Sequence, residues 1–314
     1  MNMQLCHTLA CLGREKRPLL LAAGFFDGVH RGHQAVVKEV MRAAKRRGAL
    51  AWIMTFDIHP LKLLKPEAAP PLLTATAHKI RLLEALGVDG CLVLPFTRVF
   101  AVMEPEEFVL QLTRSAPNLR GIVVGSNWTF GKNGCGTPDL LAKFGRRYGF
   151  EVRVVRQVRW RGGVVSSTRI RKALFAGKLA DADAMLGRVF SVVGTVVTGR
   201  GFGRRLGLPT ANISPHNEVL PASGVYAVRV ALDGKIHNGA ANIGFRPTIE
   251  ENRPSGRLLE VHVFDLEANL YHREMEVFFM ERIRPERRFA TVQALKLRIM
   301  KDIKLAKKIL FHRK

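Results

Sequence analysis

The sequence predicts two domains of different class: a doubly wound α/β domain over residues 1–187 and a small antiparallel β-barrel with a terminal helix over 188–314. Three observations carry this. Up to residue 187, short apolar runs alternate with segments whose apolar residues recur every three or four positions, as buried parallel strands and crossover helices require. Beyond 188 the helical period largely vanishes, and short β-rich runs punctuated by glycine and proline replace it. It returns only at the end, where Val292, Leu295, Ile299, Ile303, Ala306 and Leu310 form a stripe expected to pack across the barrel.

Taken in order, the first strand is 19–23, where no polar residue interrupts the run. Residues 24–33, GFFDGVHRGH, turn the chain into a helix on which Val36, Val37, Val40, Met41 and Ala44 alternate with basic residues until Gly48. A strand at 51–56 completes a βαβ unit, whose first turn is where such sheets place ligands. A proline-rich loop over 57–73 is long enough to point to a function. A helix from Thr74 or Thr76 through Leu86, a strand at 91–94, a helix at 105–112 and a strand at 121–125 follow. Residues 126–136 read as a glycine-rich loop, after which Thr137 caps a helix with Pro138 at its first position. The fifth strand is 152–158, and Ser166, Ser167 and Thr168 open a helix over 169–175. In the barrel the legible strands are 191–197, 225–231, 258–264 and 275–279.

The formal charge of +24 is spread over the chain, +14 on residues 1–187 and +10 on 188–314. Such a field gathers polyanions, nucleic acid among them, but it also gathers ATP and phosphorylated small molecules. No helix-turn-helix, zinc-finger or aromatic RNA-binding signature accompanies it. Cys6, Cys11, Cys91 and Cys135 are scattered without metal-ligand spacing, so reduced thiols in a soluble cytoplasmic protein are the expectation. The apolar run 19–26 meets Asp27 rather than a cleavage site, and no run is long enough to span a membrane.

Five stretches carry chemistry. His30 and His33, three residues apart at a helix start with Gly32 between, suit charge developing on phosphoryl oxygens, although such a pair is as readily a surface feature. Ser166, Ser167, Thr168, Arg169 and Arg171 supply hydroxyls and guanidinium for a triphosphate, or plain helix capping. Trp128 and Phe130 either fill the core or wall a flat aromatic substrate. In the second domain Gly194, Gly199, Gly201 and Gly203 precede Arg204 and Arg205, then Thr210 and Asn212 offer hard oxygen ligands of the kind magnesium prefers. The same glycines equally mark bulges. By alternation Glu260 and His262 share the strand face opposite Leu259, Val261 and Val263.

Together these motifs resemble the bacterial bifunctional riboflavin kinase/FMN adenylyltransferase (FAD synthetase) family, in order GFFDGVHRGHQ (24–34), TFDIHP (55–60), GSNWTFG (125–131), SSTRIR (166–171), LGRVFSVVG (186–194), GRRLGLPTANI (203–213), LPASGVYAV (220–228), ANIGFRPT (241–248), LEVHVFD (259–265) and IRPERRF (283–289). The resemblance implies a Rossmann-like nucleotidyltransferase domain that adenylylates FMN to FAD with release of pyrophosphate, and a flavokinase barrel that phosphorylates riboflavin to FMN. Both steps would use ATP with Mg2+, and riboflavin, FMN and ATP would be the partners, with no specific nucleic acid and no membrane. Residue by residue, it implies His30 and His33 as phosphate-binding catalytic histidines, with Gly24, Phe26, Asp27, Gly32, Ser167, Thr168 and Arg171 around ATP. Asn127, Trp128 and Phe130 fall to the flavin of this site. In the kinase it implies Gly199, Gly203, Arg204, Thr210 and Asn212 for ATP, Thr210 and Asn212 also for the metal, and Arg284 for the flavin. Glu260 matches the general base that takes the proton of the riboflavin 5′-hydroxyl. The chain departs from the pattern at Phe25, where asparagine is frequent, at Ile58 for proline, at Ser126 for an acidic residue and at Phe202 for arginine.

Overall fold

A computed structural model describes residues 3–199, 207–245, 257–266 and 268–312. The chain forms two compact units, Met1–Leu72 with Thr76–Ser166, and Leu73–Ala75 with Ser167–Lys314.

The first unit runs β1 (Gln4–Cys6), β2 (Leu19–Ala23), α1 (Arg31–Lys45), β3 (Leu50–Phe56), α2 (Pro60–Leu64), α3 (Thr76–Glu84), β4 (Gly90–Leu94), α4 (Arg98–Ala101), α5 (Pro105–Ser115), β5 (Leu119–Gly125), α6 (Pro138–Tyr148) and β6 (Glu151–Val155), then a short hairpin of β7 (Arg159–Trp160) and β8 (Gly163–Val164). The six long-range strands form a parallel sheet in the order β1-β4-β3-β2-β5-β6. Both faces are covered. Leu19, Leu21 and Trp52 join one core layer, while Leu20, Ala22 and Ile53 join the other. This is why β2 reads as an unbroken apolar run rather than an alternation. The chain goes from β2 outward to β3 and β4, then returns to β5 on β2's other side, so the strand order reverses between β2 and β5. Ligands of such sheets bind beyond the carboxyl ends of the strands at that reversal.

The second unit holds α7 (Ser167–Phe175), α8 (Leu179–Leu186), β9 (Ser191–Val197), β10 (Ala211–Pro215), β11 (Gly224–Leu232), β12 (Lys235–Phe245), β13 (Arg257–Val263), β14 (Glu274–Pro285) and the terminal α9 (Val292–His312). Its strands close into an antiparallel barrel, β10-β13-β12-β11-β14-β9, with β9 meeting β10 again. Tyr226, Val228, Leu259, Val261 and Phe279 are fully buried, and the Tyr226 and Phe279 rings meet edge-to-face at 5.2 Å. Ala306 and Leu310 of α9 pack in a cluster with Ala227, Phe264 and Met280. The fold class is the expected one.

Several expectations need correction. β1, β10 and β12 escaped the sequence because β1 is three residues long and the other two are rich in asparagine, serine and glycine. The proline-rich segment carries α2 and a turn of 3-10 helix at Pro66–Ala68 rather than open loop. β6 ends at Val155, short of residue 158. Val292 is 57% exposed and lies off the packed stripe of α9. Cys6 and Cys11 are joined in a disulfide, Cα atoms 6.3 Å apart, against the expectation of four reduced thiols. The compact units divide at Ser166/Ser167, with α7 and α8 counted beside the barrel. Backbone bonds explain the grouping: Ala222 N–H donates to the Leu174 carbonyl at 2.9 Å, and Phe190 N–H to an Asp183 carboxylate oxygen at 2.8 Å. Gly201, Phe202, Gly203, Arg204 and Arg205 lie outside the described residues.

Candidate active sites

The first site grows out of β2. At Gly24 the strand enters a turn where Phe26 (φ 58°), Gly28 (φ 79°) and Val29 (φ 41°) adopt left-handed backbone. At Phe26 and Val29 this is strain that packing must hold, a pattern concentrated at ligand-binding turns. Both side chains are buried, as is Asp27. The turn delivers His30 to the N-cap of α1, where its Nδ1 accepts the backbone N–H of His33 at 3.3 Å. An accepting Nδ1 leaves the proton of the neutral ring on Nε2. The His33 ring stacks on His30 with centroids 3.6 Å apart, and Phe26 meets His33 edge-on at 5.3 Å. Gly32 fits because a Cβ there would lie 3.0 Å from the His30 ring. Imidazole N–H groups at a helix N-terminus are donors for phosphoryl oxygens.

Beyond the carboxyl ends of β2 and β3 lies a cavity of about 630 Å³, lined by Gly24, Phe56, Phe96, Phe100, Trp128 and Phe130 among others. Trp128 and Phe130 stack with centroids 4.9 Å apart. Phe130 also belongs to the core, with Trp128 packed against it. The loop is ordered: Phe130 and Gly136 exchange backbone hydrogen bonds at 3.1 and 2.8 Å. Asn127 is exposed and absent from the cavity lining. The long segment after β3 supplies Pro60, Leu61 and Leu64 to this wall. Asp57 anchors it, its Oδ1 accepting N–H groups of Ile58 at 2.7 Å and Phe96 at 2.9 Å. His59 caps α2 and meets Phe25 edge-on at 4.8 Å. Ser167, Thr168 and Arg171 fall on the opening turns of α7, in the second unit, with Arg171 buried.

The second site lies in the barrel. Leu259 and Val261 are buried, while Glu260 and His262 on the opposite face of β13 line a cavity of about 260 Å³. Thr210 and Arg284 line it too, so four side chains from three segments converge. Asn212 is buried, sits opposite Glu260 in the β10–β13 register, and is not part of the lining. A Cβ at Gly199 would overlap the Asn212 amide, which gives that glycine a packing role. Burial raises the Glu260 carboxyl above its ordinary pKa. Arg284 is held by Asp302, with Nε and Nη2 each 2.8 Å from Oδ2, and Arg298 Nε lies 2.9 Å from Oδ1. The sequence reading missed Asp302, though it is the one acid in an otherwise basic terminal helix. It also left His262 without a role. The His262 Nδ1 lies 2.8 Å from the Pro209 carbonyl. A carbonyl only accepts, so Nδ1–H donates and ties β13 to the start of the Thr210–Asn212 element.

The sequence matches the FAD synthetase family over residues 13–169 and the riboflavin kinase family over 186–310. A bifunctional riboflavin kinase/FMN adenylyltransferase of Escherichia coli K12 is 39% identical over 90% of this chain and 90% of its own. That of Bacillus subtilis 168 is 34% identical over 96% of this chain and 95% of its own. The chain belongs to the bifunctional riboflavin kinase/FMN adenylyltransferase family. Its two matched segments are the domains of two-step FMN and FAD synthesis, with ATP and flavin as substrates. A crystal structure described as a macrolide-efflux protein from Streptococcus pneumoniae shares the fold, with a TM-score of 0.83 and 28% identity over 98% of this chain and 99% of that one. Among the described residues no helix is long and apolar enough to cross a membrane.

Proposed function

We propose that riboflavin is phosphorylated at the barrel cavity and that FMN is adenylylated at the turn between β2 and α1. The observation that carries the kinase half is the convergence of Thr210, Glu260 and Arg284 on one cavity. Glu260 takes the proton of the riboflavin 5′-hydroxyl as that oxygen bonds to the γ-phosphorus of ATP and the bond to ADP breaks. A carboxyl whose pKa burial has raised is a better match to this duty than an ordinary one. Arg284, fixed by Asp302, holds the flavin. Thr210 and Asn212 would hold Mg2+, since Asn212 sits opposite Glu260 in the ladder, Thr210 lines the same cavity as Glu260, and both carry uncharged hard oxygens. The ion supplies charge neutralisation on those phosphates.

In the first unit the aromatic cavity takes the flavin between Trp128 and the phenylalanines. An FMN phosphate oxygen attacks the α-phosphorus of ATP, and pyrophosphate leaves. His30, through its Nε2–H, and His33 stabilise the phosphoryl oxygens while the α1 amides orient them. Ser167, Thr168 and Arg171 serve as the second nucleotide element, and the functional boundary falls near residue 187. We place the enzyme in the cytoplasm, the source of ATP for both steps. The test is product analysis of the full chain from riboflavin and, separately, from FMN. His30→Ala with His33→Ala should abolish FAD and spare FMN formation, and Glu260→Ala should do the reverse when FMN is supplied. Equal loss of both activities in either variant overturns the assignment.

A further inference from the structure

Lys79, on α3, is an ammonium buried where neither step above uses it. It is only 2% exposed. Its Nζ lies 3.2 Å from the Phe25 carbonyl, 3.1 Å from Thr55 Oγ1 and 2.7 Å from the Phe56 carbonyl, three acceptors for three N–H donors. The Thr55 hydroxyl in turn donates to the same Phe25 carbonyl at 3.0 Å, and the ammonium sits 4.3 Å from the Phe25 ring centroid. Every partner belongs to the carboxyl end of β3 or to the residue that opens the left-handed turn after β2. A buried charge is an expensive way to fill space, and apolar residues of similar volume commonly stabilise a core as well or better. Its position at the ligand end of the sheet therefore points to the site rather than to packing.

We propose that Lys79 is a positioning residue for adenylyl transfer: its ammonium fixes the Phe25 backbone, and through it the turn over 26–29 that presents His30 and His33. Phe25 O receives two of the bonds in this network, so it is the point at which the turn is fastened to β3. The role depends on charge. Burial lowers Lys79 to a pKa of about 8, opposed by Asp27 in the turn, Cys91 of β4 and Asp57 after β3, the charged or titratable groups that face it. A neutral amine has two N–H donors and loses one of the three bonds. The turn is thus fully fastened below the titration and loosens as pH rises through it.

The inference rests on adenylylation at this turn, and FAD formation by the unmodified chain at neutral pH tests that reading separately. In the full chain, FAD formation from FMN and ATP should fall as pH rises through about 8, while FMN formation from riboflavin shows no fall at that midpoint. Lys79→Met should lower kcat for FAD formation by about 10- to 100-fold, the scale on which small misplacements act, leave FMN formation unchanged and remove the alkaline limb. Lys79→Arg should restore part of the rate and move that limb upward. A flat wild-type FAD profile between pH 7 and 9 overturns the proposal whether or not the variants fold. So does a Lys79→Met chain, unchanged in thermal melting, that keeps FAD formation within about twofold of wild type or keeps the same limb.

Discussion

Gly32→Ala separates stability from chemistry in the first unit. The added Cβ would lie 3.0 Å from His30 Cε1 and 3.1 Å from Nδ1, closer than a side chain tolerates without a shift of a few tenths of an ångström. The ring is 6% exposed and stacked against His33, so it has little room to yield without leaving that stack. Moving it weakens the bond from His33 N–H to Nδ1, an N-cap contribution of about 1 kcal/mol. Alanine in place of glycine in a helix returns about 1 kcal/mol. The two terms nearly cancel, so the melting temperature should change little. Adenylylation should nonetheless fall by about 10- to 100-fold, because the imidazole N–H proposed to stabilise the phosphoryl oxygens is displaced. Steady-state FAD formation with ATP and FMN varied in turn, beside FMN formation as internal control, reads the effect. A loss in kcat fits a displaced His30, and a rise in ATP KM alone fits lost backbone approach at Gly32. Unchanged kcat and KM would refute the reasoning.

In the barrel, Glu260→Gln should abolish flavokinase activity and leave FAD formation from FMN intact. Because burial raises the Glu260 pKa, wild-type kinase rate should fall as pH drops through that raised value. For the same reason the folded state disfavours the carboxylate, so stability rises on acidification through that range and Glu260→Gln should melt higher than wild type at neutral pH; a lower melting temperature contradicts this. Asp302→Ala leaves the largely covered Arg284 guanidinium without its buried carboxylate, which should cost about 3 kcal/mol in denaturant unfolding and raise the riboflavin KM. His262→Ala should raise the KM for ATP in the kinase step, and His262→Asn, which keeps a donor toward the Pro209 carbonyl, should recover most of it; equal effects of both substitutions would count against the tether.

The sheet of the first unit was legible because β2, β3, β4 and β5 are buried on both faces and must be continuously apolar. β10 and β12 were not, since Asn212, Ser214, Asn238 and Asn242 break any apolar run, and only ladder pairing to their neighbours, β9 and β13 for β10 and β11 and β13 for β12, makes strands of them. The site residues divide in the same way. His30, His33, Thr210 and Glu260 could be named because they sit in compact motifs. Lys79, Asp302 and His262 were not, because what marks them is contacts with residues 54, 18 and 53 positions away, which no local pattern announces. The Cys6–Cys11 pair is the opposite case: close in sequence, yet its pairing depends on how β1 and the following turn meet.

The two units also treat the ends of their sheets differently. The barrel closes through β9, which pairs with β10 on one side and β14 on the other, so among the described residues no barrel strand is left as an open edge. The parallel sheet keeps two margins. One is β1, only three residues long, and the other is β6, where Glu151 pairs with Arg47 and Arg153, and Arg153 reaches Glu39 at 3.0 Å. A brief margin and a charged one both disfavour recruitment of a second chain by strand addition. The exposed moment comes earlier: β9 has emerged long before β14 on a growing chain, with 76 residues between Val197 and Glu274. Until those residues are made, the barrel is an open sheet, and aggregation during synthesis should concentrate there.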